Sequence, residues 1–138
     1  MNIEAHLESL NKLNKRIDTK IDSLVVLKAL AEKTTTCASG VLGNSDKAKR
    51  TMADTVDKIV DLQGEINKDI DELVGLKAEM YRAIQKLDDM NQRLVLEMRY
   101  INEMKWQDIA EAMKFADRYV YQIHEAGIKN LKKILKTQ

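Results

Sequence analysis

Within five residues, Arg118, Tyr119, Tyr121 and Gln122 gather side chains that donate hydrogen bonds in flat, extended geometries, and Lys129, Lys132, Lys133 and Lys136 follow. From Lys114 to Gln138 six basic residues meet only Asp117 and Glu125, a net +4 on a chain whose total is +1. The remainder is therefore −3. A nearly neutral chain that concentrates its positive charge in one stretch suits a polyanion there. Arg118 and Gln122 have the lengths and donors that read base edges in a major groove, and Tyr119 and Tyr121 can reach a phosphate or a thymine methyl group. Lys114, Lys129, Lys132, Lys133 and Lys136 are of the type that neutralises phosphates.

Other chemistry is poorly supplied. His6, His124 and Cys37 share no ligand spacing, so no metal site is expected. No glycine-rich phosphate loop, nucleophile elbow or HExxH pattern occurs. The carboxylates at Asp88-Asp89 and from Asp69 to Glu72 read as solvated helix faces. A non-enzymatic protein without catalytic residues or cofactors is the expectation.

The elements that must hold these residues are helices. Proline is absent and glycine occurs five times, so little interrupts helical runs, and a β-sandwich or barrel lacks its turn signals. In KWQDIAEAMKFADRYVYQIHEAG the residues Trp106, Ile109, Ala110 and Met113 share one helical face. The pattern pauses at Lys114-Phe115-Ala116 and restarts near Asp117 with Val120, Ile123, Gly127, Leu131 and Ile134. Two helices separated by three residues cross steeply, as a helix-turn-helix. Ala110 is the small residue where the backbones approach, and Phe115 plugs the junction. At 100° per residue, Arg118, Gln122, Glu125, Lys129 and Lys136 lie opposite the buried line of the last helix.

Upstream, two heptad seams predict long helices. The first uses Ile3, Leu7, Leu10, Ile17, Ile21, Leu24 and Ala31, with Asn14 and Lys28 at its polar positions, and ends near Lys33. The second runs from Met52 to Leu87, with Gln63 and Lys77 as polar positions. The Thr-, Ser- and Gly-containing stretch near 34–47 reads as a loop, with Asn44, Ser45 or Asp46 as helix cap. The expected fold is all-α: a long antiparallel, coiled-coil-like hairpin over 1–88, serving packing or oligomerisation, then a DNA-binding helix-turn-helix domain over 89–138. The seams face each other within one chain or join two chains, so a homodimer through the N-terminal helices is a second expectation. No apolar run reaches the ~18 residues of a membrane span and no signal-peptide core is seen. With the lone Cys37, these point to a cytoplasmic address without membrane contact.

The segment from Leu94 to Leu135 resembles region 4 of sigma factors. The resemblance rests on Arg99-Tyr100, on Asp108-Ile109-Ala110, and on Val120, Ile123, Gly127, Ile128 and Leu131 at that family's intervals. The sequence departs from the family at Lys114, where a turn glycine is common, at Ala116 in place of a Ser/Thr cap, and at Gly127 in place of alanine. Over its full length the chain is similar to small phage-encoded transcriptional regulators of Gram-positive hosts, of the ArpU/RinA type. That likeness implies binding of double-stranded promoter DNA in a bacterial host cell, with host RNA polymerase as a further partner. Two alternatives share the same parts: an RNA polymerase-binding adaptor, and the DNA-recognition subunit of a phage packaging complex.

Overall fold

A computed structural model describes residues 2–38 and 45–136 of the chain, and every regular element among them is helical. In order these are α1 (Ile3–Ala38), α2 (Ser45–Ile84), α3 (Met90–Leu96), α4 (Trp106–Met113) and α5 (Asp117–Lys136). A π-helical turn, Glu97–Ile101, continues α3. The protein is thus all-α, with two long antiparallel helices followed by a helix-turn-helix.

The loop expected near 34–47 is shorter than its composition suggested. α1 continues through Ala38 and α2 begins at Ser45. Thr34–Ala38 contains neither glycine nor proline, and threonine costs only a few tenths of a kcal/mol in a helix. Residues 39–44, with the cap candidate Asn44, lie outside the described residues. At the other end of α1 the Asn2 side-chain oxygen accepts the Ala5 N–H at 3.3 Å, an N-cap. α2 closes with tight i→i+3 bonds from the N–H groups of Lys86 and Leu87 to the carbonyls of Ala83 and Ile84. Asp89 then caps α3, accepting the Gln92 N–H at 3.1 Å.

Two compact units divide the chain, Met1–Lys12 with Leu73–Gln138, and Leu13–Glu72. In the first, the opening turns of α1 lie antiparallel to the closing turns of α2, and His6 Nε2–H donates to the Leu76 carbonyl at 3.3 Å. One core cluster joins Ile3, Leu10, Met80, Ala83, Ile84 and Leu87 to Leu96 of α3 and Leu131 of α5. A second joins Val95 of α3 to Ile109, Ala110, Val120 and Ile123, with Phe115 packed against it. Neighbouring residues of α3, Val95 and Leu96, therefore serve both clusters, and each is fully buried. Burying such a side chain contributes about 1.5–3 kcal/mol.

Lys77, which the heptad pattern placed at a polar seam position, is used inside this unit. Its Nζ donates to the Ile101 carbonyl at 3.0 Å and pairs with the Glu103 carboxylate. That contact fixes the end of the π turn, where Glu103 takes a positive φ of 58°.

In the second unit α1 and α2 again run antiparallel. Among the described residues, Leu13, Ile17 and Ile66 are its buried apolar side chains. Asp69, expected on a solvated face, is instead 7% exposed. Arg16 and Lys20 reach it from α1 at 3.0 and 2.7 Å, and Arg16 also pairs with Glu72 at 3.5 Å. The bond from Lys20, with Arg16 beside it, holds the Asp69 carboxyl below the usual aspartate value, against the effect of burial.

Candidate nucleic-acid interface

The turn between α4 and α5 is a Schellman closure. Lys114 is left-handed, with φ 59° and ψ 40°. Its N–H bonds the Glu111 carbonyl at 3.2 Å, and the Phe115 N–H bonds the Ala110 carbonyl at 3.0 Å. Phe115 then folds back onto the cluster of Ile109, Ala110 and Val120. The strain of a non-glycine residue in this conformation is about 1–2 kcal/mol. Ala116 contributes no side-chain cap, and its carbonyl accepts the Val120 N–H at 3.1 Å, the first bond of α5.

α5 buries Val120, Ile123, Gly127 and Leu131. Gly127 suits a close approach: a Cβ there would lie 3.2 Å from Leu96 Cδ1 and 3.4 Å from Gln92 Cβ. α3 and α5 therefore approach at that point more closely than alanine permits without movement. Arg118, Gln122, Glu125, Lys129, Lys133 and Lys136 are exposed on the other side of α5, and Lys114 is exposed at the turn. The spacing of 118, 122, 125 and 129 sets them in one line along the helix.

Tyr119 and Tyr121, each about half exposed, flank that line and are held by other rings. Tyr119 meets Phe115 edge-on at 4.9 Å between centroids. Tyr121 lies against Trp106 at 4.6 Å, and the Arg99 guanidinium sits 4.5 Å from the Trp106 ring. Arg99 also donates to the Met104 carbonyl at 3.0 Å, bracing the approach to α4. His124 closes the group, edge-on to Trp106 at 4.8 Å and 2.6 Å from the Tyr100 hydroxyl. Burial holds its imidazole below the ordinary value of 6.5, opposed by Glu125 and assisted by Arg99. Burial also pushes the Tyr100 hydroxyl up, with Arg99 acting the other way. Arg99-Tyr100 thus serves as scaffold for the turn and for α5.

One expected phosphate ligand is already engaged. Lys132 Nζ forms an ion pair with Glu4 of α1 and is half-buried, so its charge is offset before any partner arrives. That pairing, foremost a hydrogen bond, keeps the Glu4 carboxyl below its ordinary value. Sequence reasoning missed it because the partners stand 128 positions apart. Among the described residues no group of three or more Cys, His, Asp or Glu side chains is arranged to hold a metal ion. No helix among them is long and apolar enough to cross a membrane.

Residues 34–132 match the family described as "Protein of unknown function (DUF1492)". The match covers α2 through α5 and well over half of the chain. No curated protein matches the chain, and no solved structure does.

Proposed function

The chain belongs to the DUF1492 family of unknown function, and we propose that it binds double-stranded promoter DNA as a phage or prophage transcriptional regulator. One observation carries this reading: a helix-turn-helix whose second helix exposes Arg118 and Gln122 in line with Lys129 and Lys136. In such a docking α5 enters the major groove with its N-terminal turns foremost, so that Arg118 and Gln122 meet base edges. Arg118 suits guanine and Gln122 suits adenine. Tyr119 and Tyr121, positioned by their ring contacts, flank those readers. Lys129, Lys133, Lys136 and Lys114 supply phosphate contacts, while Lys132 contributes less because Glu4 holds it. The sigma-region-4 likeness and the phage origin belong to this proposal.

The test is equilibrium binding of the full chain to duplexes from its own genomic neighbourhood across a range of salt. A contact set of this size gives an affinity that falls steeply with salt. No salt-sensitive affinity for any such duplex overturns the proposal.

A second reading, an RNA polymerase-binding adaptor, draws on the stack of Arg99, Trp106 and Tyr121, residue types that dominate protein interfaces. Co-purification with polymerase in the absence of any DNA shift favours it.

A further inference from the structure

The unit Leu13–Glu72 has two unlike faces. Arg16, Lys20, Asp69 and Glu72 all pair across one side of the two helices. Because α1 and α2 are antiparallel, the opposite flanks of both helices also share a side. That side carries Ile21 and Val25 from α1 with Val56, Val60 and Ile70 from α2, each 39–62% exposed. Meanwhile, among the described residues of this unit, Leu13, Ile17 and Ile66 are the buried apolar side chains. Three such residues are few for two helices, whose stability in proteins comes mainly from packing an apolar face.

The polar residues on the uncovered side differ between the helices. On α1 they are the acids Asp18 and Asp22 with the lysines Lys15 and Lys28, all exposed. On α2, between Val56 and Ile70, they are the amides Gln63 and Asn67, also exposed. The Arg16–Asp69 and Lys20–Asp69 pairs set the register, which places Val25 beside Val60, Asp18 near the level of Asn67, and Asp22 near that of Gln63.

We infer that this face packs against the same face of a second copy of the chain, about a two-fold axis parallel to the helices. Such an axis lays α1 of one copy on α2 of the other at equal height. Val25 then meets Val60 of the second copy, and the carboxylates of Asp18 and Asp22 meet the N–H donors of Asn67 and Gln63. A two-fold perpendicular to the helices would lay α1 on α1 and α2 on α2, which leaves the amides of α2 facing amides rather than carboxylates. The parallel arrangement matches these carboxylates with those amides, and it yields a four-helix assembly. This inference stands apart from the DNA reading, since it uses none of the α5 residues.

The test is the mass of the full chain in solution, by light scattering and sedimentation, at micromolar concentrations. The expected result is a dimer. Val60→Lys, at a site already 59% exposed, leaves helicity unchanged and shifts the chain to monomer. Asn67→Lys, which sets an ammonium opposite Asp18 of the second copy at two symmetric positions, tightens the dimer roughly tenfold. Asn67→Asp loosens it by a similar factor. A strictly monomeric wild type, or a Val60→Lys dimer as tight as wild type, overturns the inference. So does an Asn67→Lys dimer no tighter than that of Asn67→Asp.

Discussion

The Tyr100 hydroxyl lies 2.6 Å from His124 Nε2, tying the π turn after α3 to the middle of α5. A neutral imidazole with Nε2 unprotonated accepts a hydrogen bond from the tyrosine hydroxyl there, and a protonated one has no lone pair left to do so. Burial lowers the folded-state value of His124 below 6.5, so between that lowered value and 6.5 the unfolded chain binds more protons. Stability from this group is therefore complete above pH 6.5 and is lost as pH falls through the folded value. Resistance of the wild type to chemical denaturation is expected to fall on going from pH 7 to pH 5. In His124→Phe, which keeps a ring against Trp106, that pH dependence shrinks. Equal slopes for the two proteins refute the assignment.

Lys114→Gly is expected to raise stability by about 1 kcal/mol, because glycine adopts the left-handed conformation without a Cβ clash. The same change removes an exposed charge at the turn, so DNA affinity falls while the melting temperature rises. A melting temperature that drops shows that the Lys114 conformation is not strained.

Ala116→Thr supplies the hydroxyl that the start of α5 lacks. A gain of about 1 kcal/mol is expected, read from the denaturation midpoint. An unchanged midpoint means that another group already satisfies the first N–H groups of α5.

Gly127→Leu places a bulky side chain where Leu96 Cδ1 would stand 3.2 Å from its Cβ. Leu96 is fully buried, so a loss of about 1–3 kcal/mol is expected from overpacking. Gly127→Ala falls close to neutral, since helix propensity offsets the crowding. A Leu variant as stable as wild type removes the close-approach argument.

Lys129→Ala with Lys133→Ala is expected to reduce the slope of log affinity against log salt by about 2, one for each lost phosphate contact. Lys132→Ala changes it less, because Glu4 already neutralises that ammonium. Arg118→Ala acts differently, relaxing preference at one base pair at a cost of about 1–3 kcal/mol. Equal salt slopes for wild type and the Lys129/Lys133 variant show that these lysines do not face the duplex.

The helix-turn-helix was legible because its signals are local. Apolar spacing of three and four places Trp106, Ile109, Ala110 and Met113 on one face, and α4 begins and ends at the first and last of them. The pause at Lys114 to Ala116 and the restart at Asp117 likewise coincide with the turn and with α5. What escaped the sequence depends on which helix meets which, and at what height. A heptad marks Lys77 as a polar gap in a stripe, yet the carbonyl that receives it belongs to Ile101, beyond the end of the helix. Asp69 sits in a run of acids that reads as solvated, and only the register of α1 against α2 brings Arg16 and Lys20 to it. Gly127 stood out only as a departure from the family's alanine until the approach of α3 gave it a purpose. The longer reach of α1, past Lys33 to Ala38, reflects how little threonine alone does to stop a helix.

The unit that holds the helix-turn-helix also contains Met1–Lys12, so it is assembled from stretches about 60 residues apart in order of synthesis. Ile3 and Leu10 leave the ribosome long before Met80, Ile84 and Leu131 exist to receive them. A product cut short within α2, or one deprived of α1, therefore exposes greasy surface to quality-control proteases rather than forming a usable half-protein.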